Sequence, residues 1–552
     1  MFKIIKMKNY VFIILLLLTK NIIAQNSDYR KYLENAIEAA KKYDKETYEL
    51  NMDWFEVAIE ENNITPETLD FNYIELYATA IYYGDIRKIS IKYINKAYPF
   101  IKYASEKKQS GIVYRAMGYL YDIGHSVPQN YITAKYWYEK GAEMGDARAM
   151  NNLGSLYLNG KGVTQNYSTA KYWFDKAADL NDERALNNIG VLFRDGNGVT
   201  QNYTTAKYWF EKAANIEDTK GYENLGYLYE NGYGVTKDYM KSKYWYEKSI
   251  NINGGDENGY ASNKIGWFYY NGFGVTQNYN TAKYWFEKAI LKENSSAMVT
   301  LGYMYEKGLG VNIDFKNAFK LCKKAADLDN SGGQNNVGYY YRNGIGVEKD
   351  YELAVFWYEK AAEKGNISAQ LSLGDMYEKG IGVFINYTIA LKWYKMAAEK
   401  ENSEALQKIG WINFTLKNYS EAKLWFEKAI LKENSYAMVN FGYMYEKGLY
   451  VEQDYNKAAF YYEKAALLNN PIGMNNLGSL YHNGDGVKRN YTTAKYWYEK
   501  AAALNDDDAY RNLGRLYLGG LGVTKDLNYA KQLYIKSCNL GNQGACDFLK
   551  EW

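Results

Sequence analysis

Along most of the chain, apolar and polar positions alternate in one recurring pattern. Ala149, Leu153, Leu156 and Tyr157 stand at i, i+4, i+7 and i+8, the spacing of one apolar helix face. Asn159-Gly160 closes that helix, since glycine takes the left-handed C-cap conformation without strain. Gly160-Lys161-Gly162-Val163 forms a loop whose valine turns to the core. Asn166 supplies an N-cap oxygen for a second helix. There Ala170, Trp173, Phe174, Ala177 and Ala178 make a second apolar stripe. A short polar turn then starts the pattern again.

The copies keep strict register. One glycine recurs as Gly118, Gly154, Gly190, Gly226, Gly266, Gly302, Gly338, Gly374, Gly410, Gly442, Gly478 and Gly514. The spacing is 36, except for one of 40 and one of 32. A fixed period in that range predicts a solenoid. The long spacing comes from extra residues between Asn251 and Tyr260; the short one comes from the repeat on Gly410, which lacks the Gly-x-Gly-Val loop. Five residues before each anchor glycine, from Gly154 on, the residue is always Ala or Gly, as at Ala149, Ala185 and Gly221. That points to close helix approach, where a larger side chain overpacks. Residues 283–311 nearly repeat at 423–451, so likeness between those blocks reflects duplication.

Residues 26–110 read as a helical cap with a degenerate repeat. Leu33, Ile37, Ala40 and Tyr43 have helical spacing, and residues 71–83 and 86–105 read as a helix pair around Gly84. Residues 1–24 read as a secretory signal: Lys3, Lys6 and Lys8 precede an apolar run from Val11 to Leu18, with cleavage expected after Ala24. Eight apolar residues fall far short of the roughly 20 that span a bilayer. No later stretch is long enough either, so the expected product is exported, periplasmic or secreted, with no membrane span after signal removal. Lys+Arg is 67 against Asp+Glu 64, which gives no electrostatic case for nucleic acid or an anionic membrane.

Candidate chemistry is sparse. The two histidines, His125 and His482, lie in different repeats without metal-ligand spacing, and no phosphate loop is present. No catalytic residue, metal ligand or cofactor site is assigned. Trp137, Trp173, Trp209, Trp245, Trp285, Trp357, Trp393, Trp425 and Trp497 recur at one helical slot, which favours packing over ligand stacking. Asn-x-Ser/Thr triplets such as Asn166-Tyr167-Ser168 coincide with helix N-caps. Cys322 fills a slot held by Phe174 and Phe210 elsewhere and reads as a buried apolar residue.

In the repeat on Gly410, Gly410, Ala422, Phe426 and Ala429 fall at the intervals of a tetratricopeptide repeat. The other units, with a Gly-x-Gly-Val loop, resemble the Sel1-like variant. The resemblance implies an all-α, right-handed α-solenoid of about twelve Sel1-like or TPR-like helix-turn-helix repeats behind the helical cap. The array, residues 111–552, would end in a short capping helix. It also implies an interaction scaffold that binds a protein or peptide along its concave face, which the first helices line. Two residues before the anchor glycine stand Asn152, Asn188, Asn224, Asn336, Asn440, Asn476 and Asn512, a candidate amide ladder for a peptide backbone. Repeat consensus explains the same asparagines. One residue after it, Tyr227, Trp267, Tyr303, Tyr339, Trp411 and Tyr443 form a candidate aromatic floor. Cysteine-rich Sel1-like relatives place disulfides at the spacing of Cys538 and Cys546, so a bond is implied there; two free thiols are the alternative. Some of those relatives are described as β-lactamases, which raises a hydrolase alternative. Here Ser105-Glu106-Lys107-Lys108 matches Ser-x-x-Lys, but the other signature elements are absent. A structural spacer is the third possibility.

Overall fold

A computed structural model describes residues 29–41, 45–61, 64–67, 69, 71–86, 93–252 and 255–552. The expected signal segment lies outside the described residues. Among the described residues there are 29 helices and no strand. By compactness the chain divides into a first unit up to Ala297 with Leu309–Val311, and a second of Met298–Gly308 with Asn312–Trp552. The helices preceding Ser110 share the first unit with the first repeats.

Each repeat is a helix pair, and the anchor glycine explains its closeness. A Cβ on Gly154 would stand 2.7 Å from the Phe174 ring; on Gly190 it would stand 2.5 Å from Phe210. In the second unit the same contact is made by Gly374 to Tyr394 and Gly478 to Tyr498, at 2.5 and 2.7 Å. The first helix is thus cut flat to receive a ring of the second. In several repeats where that ring is tyrosine, its hydroxyl donates to an acid one turn beyond the glycine; Tyr498 instead donates to Ser479 Oγ at 3.2 Å. Tyr246 reaches Glu230 at 2.8 Å, and Tyr394 reaches Glu378 at 2.7 Å.

Successive repeats meet at the small-residue slot. Ala149, Ala185, Ala369 and Ala509 are fully buried. At Gly221 a Cβ would come within 2.9 Å of Ala213 Cβ, on the second helix of the preceding repeat. First helices start at an Asp or Asn cap: Asp182 accepts from Ala185 N at 3.0 Å, and Asn366 from Ala369 N at 3.0 Å. Second helices start likewise, with Asn166 accepting from Thr169 N at 2.9 Å.

The loop's second glycine sits on the preceding repeat. Gly310 has φ 67°, and its Cβ would lie 2.5 Å from Tyr279 Cβ. In the duplicated copy the residue is Tyr450, which keeps φ 61° and is exposed. A non-glycine residue at this φ is strained. The repeat before Tyr450 is the one without the Gly-x-Gly-Val loop.

At the N-terminal end one expectation fails, and at the C-terminal end the implied disulfide is formed. Phe71–Ile86 is one helix running through Gly84, and its partner begins only at Ile94. Glycine inside a helix is disfavoured but tolerated, and here it does not break the element. The segment before it forms two helices, Tyr29–Lys41 and Lys45–Glu61; Tyr43 lies outside the described residues. At the other end, a disulfide joins Cys538 and Cys546 with Cα atoms 4.7 Å apart, tying the final helix Gln543–Lys550 to its neighbour.

Candidate functional site

Four of the asparagines two before the anchor glycine reach the preceding repeat. Asn188 Nδ2 donates to Asn151 Oδ1 at 2.9 Å, and Asn224 Nδ2 to Asn187 Oδ1 at 2.8 Å. In the second unit Asn512 Nδ2 donates to Asn475 Oδ1 at 2.8 Å. Asn336 turns its amide to Cys322 Sγ at 3.8 Å. Where the slot holds lysine the reach is the same: Lys264 pairs with Glu230 at 2.8 Å and Lys408 with Glu378 at 3.2 Å. This register therefore staples repeat to repeat, because a half-buried amide or ammonium takes the nearest polar partner. At Asn188, Asn224 and Asn512 the amide NH2 is engaged within the protein. The acceptors, Asn151, Asn187 and Asn475, were not singled out from sequence; an Asn-Asn pair followed by Asn in the next repeat is the signal.

The register one after the anchor glycine opens outward. Trp267 in the first unit is 38% exposed. In the second unit Tyr303, Tyr339, Trp411 and Tyr443 are exposed by 43, 42, 40 and 39%. Tyr227 is half-buried under Arg194, whose guanidinium lies 5.7 Å from the ring centroid. Between Tyr339 and Trp411 the row is broken by Asp375, which binds Arg342 at 2.7 Å and Lys379 at 2.6 Å. Burial opposes its ionisation, but the two cations hold its carboxyl below the usual range.

A groove of about 520 Å³ forms where the row meets the loop-less repeat. Glu404, Gln407, Lys408 and Trp411 come from helix Ser403–Thr415; Asn434, Tyr436 and Asn440 come from the next first helix, Ser435–Lys447, and its cap. Trp411 stacks on Phe414 at 5.8 Å and 13°, and Phe414 meets Tyr443 edge-on at 6.1 Å. Phe414 holds the slot where neighbouring repeats carry Glu378 and Glu446. Lys408 directs its charge at Glu378 and, at 3.8 Å, Asp375. Asn434 caps its own helix and donates to Ser403 O at 3.1 Å. Among the described residues, the side-chain amides of Gln407 and Asn440 have no hydrogen-bond partner. Of the expected candidates, the structure thus brings Trp411, Tyr443 and Asn440 together. Glu404, Gln407, Lys408 and Tyr436 join them without having been named from sequence; the spacing of 32 marks the place.

The remaining candidates sit elsewhere. Ser105 is buried and donates its hydroxyl to Lys102 O at 2.7 Å, while Lys108 Nζ lies 4.1 Å over the Phe71 ring. His482 packs edge-on against Tyr491, and burial with nearby Arg515 and Arg489 lowers its pKa. Cys322 is buried and its thiol is pushed up to about 11 by burial. Trp357 and Trp393 are buried, and Trp173, Trp209 and Trp497 pack half-buried on the repeat core. Among the described residues no group of His, Cys, Asp or Glu has metal-binding geometry, and no helix is long and apolar enough to cross a membrane.

The Sel1 repeat profile matches twelve segments: 113–146, 147–182, 183–218, 219–253, 259–294, 295–330, 331–366, 367–402, 410–434, 435–470, 471–506 and 507–542. The structure resembles the crystal structure of c5321, a protective antigen of uropathogenic Escherichia coli strains displaying an SLR fold. They share 30% identity over 82% of this chain and 96% of that one, with a TM-score of 0.56. A Sel1 repeat protein from Oxalobacter formigenes is 28% identical over 45% of this chain and 96% of that one, with a TM-score of 0.40. Among curated proteins there is no match. Solenoids of this kind are generally protein-interaction scaffolds. With twelve matched segments covering most of its length, the chain belongs to the Sel1 repeat family.

Proposed function

We propose that the chain is an exported, non-catalytic scaffold that binds a protein or peptide along the first-helix face. One observation carries this: at a single register, aromatic rings stand exposed, and one of them, Trp411, lines a groove with two unpartnered amides. Apolar surface ringed by polar groups in that way favours docking. A rigid repeat stack presents the groove preformed, which limits the ordering cost on binding. Elsewhere on the same face Asn188, Asn224 and Asn512 pair with asparagines of the preceding repeat, and the exposed groove at the loop-less repeat is where specificity would be set.

Photo-crosslinking tests this. A benzophenone amino acid at Tyr436, on the groove, is expected to trap a discrete partner in the native host; the same probe at Tyr172, on a second helix, is not. Equal labelling from both positions, or none from Tyr436, contradicts the proposal. Fractionation and N-terminal sequencing check export, with the mature chain expected to start at Gln25.

A further inference from the structure

We infer that the Trp411 groove receives an aromatic side chain of tyrosine type from the partner, an inference that rests on the interaction function proposed above. The molecule carries its own example of what this register accepts. Tyr119 follows Gly118 as Trp411 follows Gly410. Over Tyr119 lies Tyr82, from helix Phe71–Ile86, with ring centroids 5.1 Å apart at 71°. Tyr82 is only 2% exposed. The Arg115 guanidinium lies 4.7 Å from the Tyr82 ring, and Arg184 Nη1 donates to the Tyr82 hydroxyl at 3.4 Å. Arg115 stands three before its anchor glycine, and Arg184 six before its own. One tyrosine thus touches three registers of the first-helix face: an edge-on aromatic, a flat donor over the ring, and a polar group at the hydroxyl.

Two of these registers lie on the groove's own first helix; the third is supplied by the next repeat, whereas Arg184 comes from the second repeat on, and among the described residues nothing covers them. Trp411 replaces Tyr119, Gln407 replaces Arg115, and Tyr436 stands six before Gly442. Phe414 stacks behind the indole and fixes its plane. An incoming ring finds the exposed rings of Trp411 and Tyr436, with which an offset or edge-on pairing is favourable. Its hydroxyl finds the amides of Gln407 and Asn440, each both donor and acceptor. An aliphatic side chain would leave those amides unanswered. An anionic one finds no free cation, because Lys408 is held by Glu378 and Asp375.

The test uses the full chain labelled with 5-fluorotryptophan, with the Trp411 fluorine signal identified by Trp411→Phe. N-acetyl-tyrosinamide is expected to shift that signal saturably and to bind several-fold more tightly than N-acetyl-leucinamide. Gln407→Ala with Asn440→Ala is expected to weaken the response several-fold while the other tryptophan signals stay in place. An unmoved Trp411 signal, or equal responses to both probes, overturns the inference. A partner crosslinked at Tyr436 through a segment without an aromatic residue would also overturn it, while leaving the scaffold function standing. Failure to crosslink any partner would instead remove the scaffold function.

Discussion

Asp218→Asn is expected to stabilise the protein at neutral pH and to do so less as the pH falls. Asp218 caps helix Thr219–Asn231, its Oδ2 accepting from Gly221 N at 2.7 Å. Burial pushes its carboxyl up to about 6, against the backbone hydrogen bond from Gly221 that favours the charge. The same cap in other repeats is asparagine, as at Asn330, Asn366 and Asn402, so the substitution keeps an accepting oxygen and removes only the charge. Because the folded carboxyl holds its proton more tightly than the unfolded one, the native state binds more protons between about pH 4 and 6. The wild type therefore loses stability as the pH rises through that window, and above it the loss is complete. A shift of about two pKa units has a ceiling near 3 kcal/mol, and partial solvent access reduces the expected gain to ~1 kcal/mol at pH 7.5. Repeat arrays open locally, so hydrogen exchange of the Thr219–Asn231 amides, wild type against variant at each pH, is the suitable assay. Slower exchange in the variant at pH 7.5, with the difference closing towards pH 4, is expected. A variant less protected at pH 7.5, or a difference that does not change with pH, would refute the reasoning.

Gly154→Ala places a methyl 2.7 Å from the Phe174 ring and is expected to cost ~1–3 kcal/mol in urea unfolding; adding Phe174→Leu should restore most of it. Ala185→Leu, at a fully buried contact between repeats, should lower the melting temperature by several degrees, and an unchanged value would count against close stacking there. Cys546→Ser opens a short loop and should weaken the last helix by roughly 2–3 kcal/mol, read as faster proteolysis of Gln543–Lys550 with the repeats before it still protected.

The stacking rules were legible because each is written many times. The anchor glycine and the residue five before it recur at fixed register, and the structure gives each a steric partner, Phe174 for Gly154 and Ala213 for Gly221. The N-terminal helices have no such copies to compare, so a lone Gly84 read as a break where the helix continues. The asparagine register shows a subtler limit. Its residues were visible, but what each amide meets depends on the repeat before it: Asn188 finds Asn151, whereas Asn440 follows a repeat bearing Gln407 and Phe414 and finds no partner. Exposure at Trp411 was foreseeable from its slot. The groove beside it was not, since it depends on side chains from two helices in two repeats.

The central claim is that the first-helix groove at Trp411 holds a partner. Crosslink yield from Tyr436, compared between the wild type and Trp411→Ala at matched melting temperature, tests it most directly. A single trapped partner whose yield collapses in the variant is expected. An undiminished yield with Trp411 removed would contradict it.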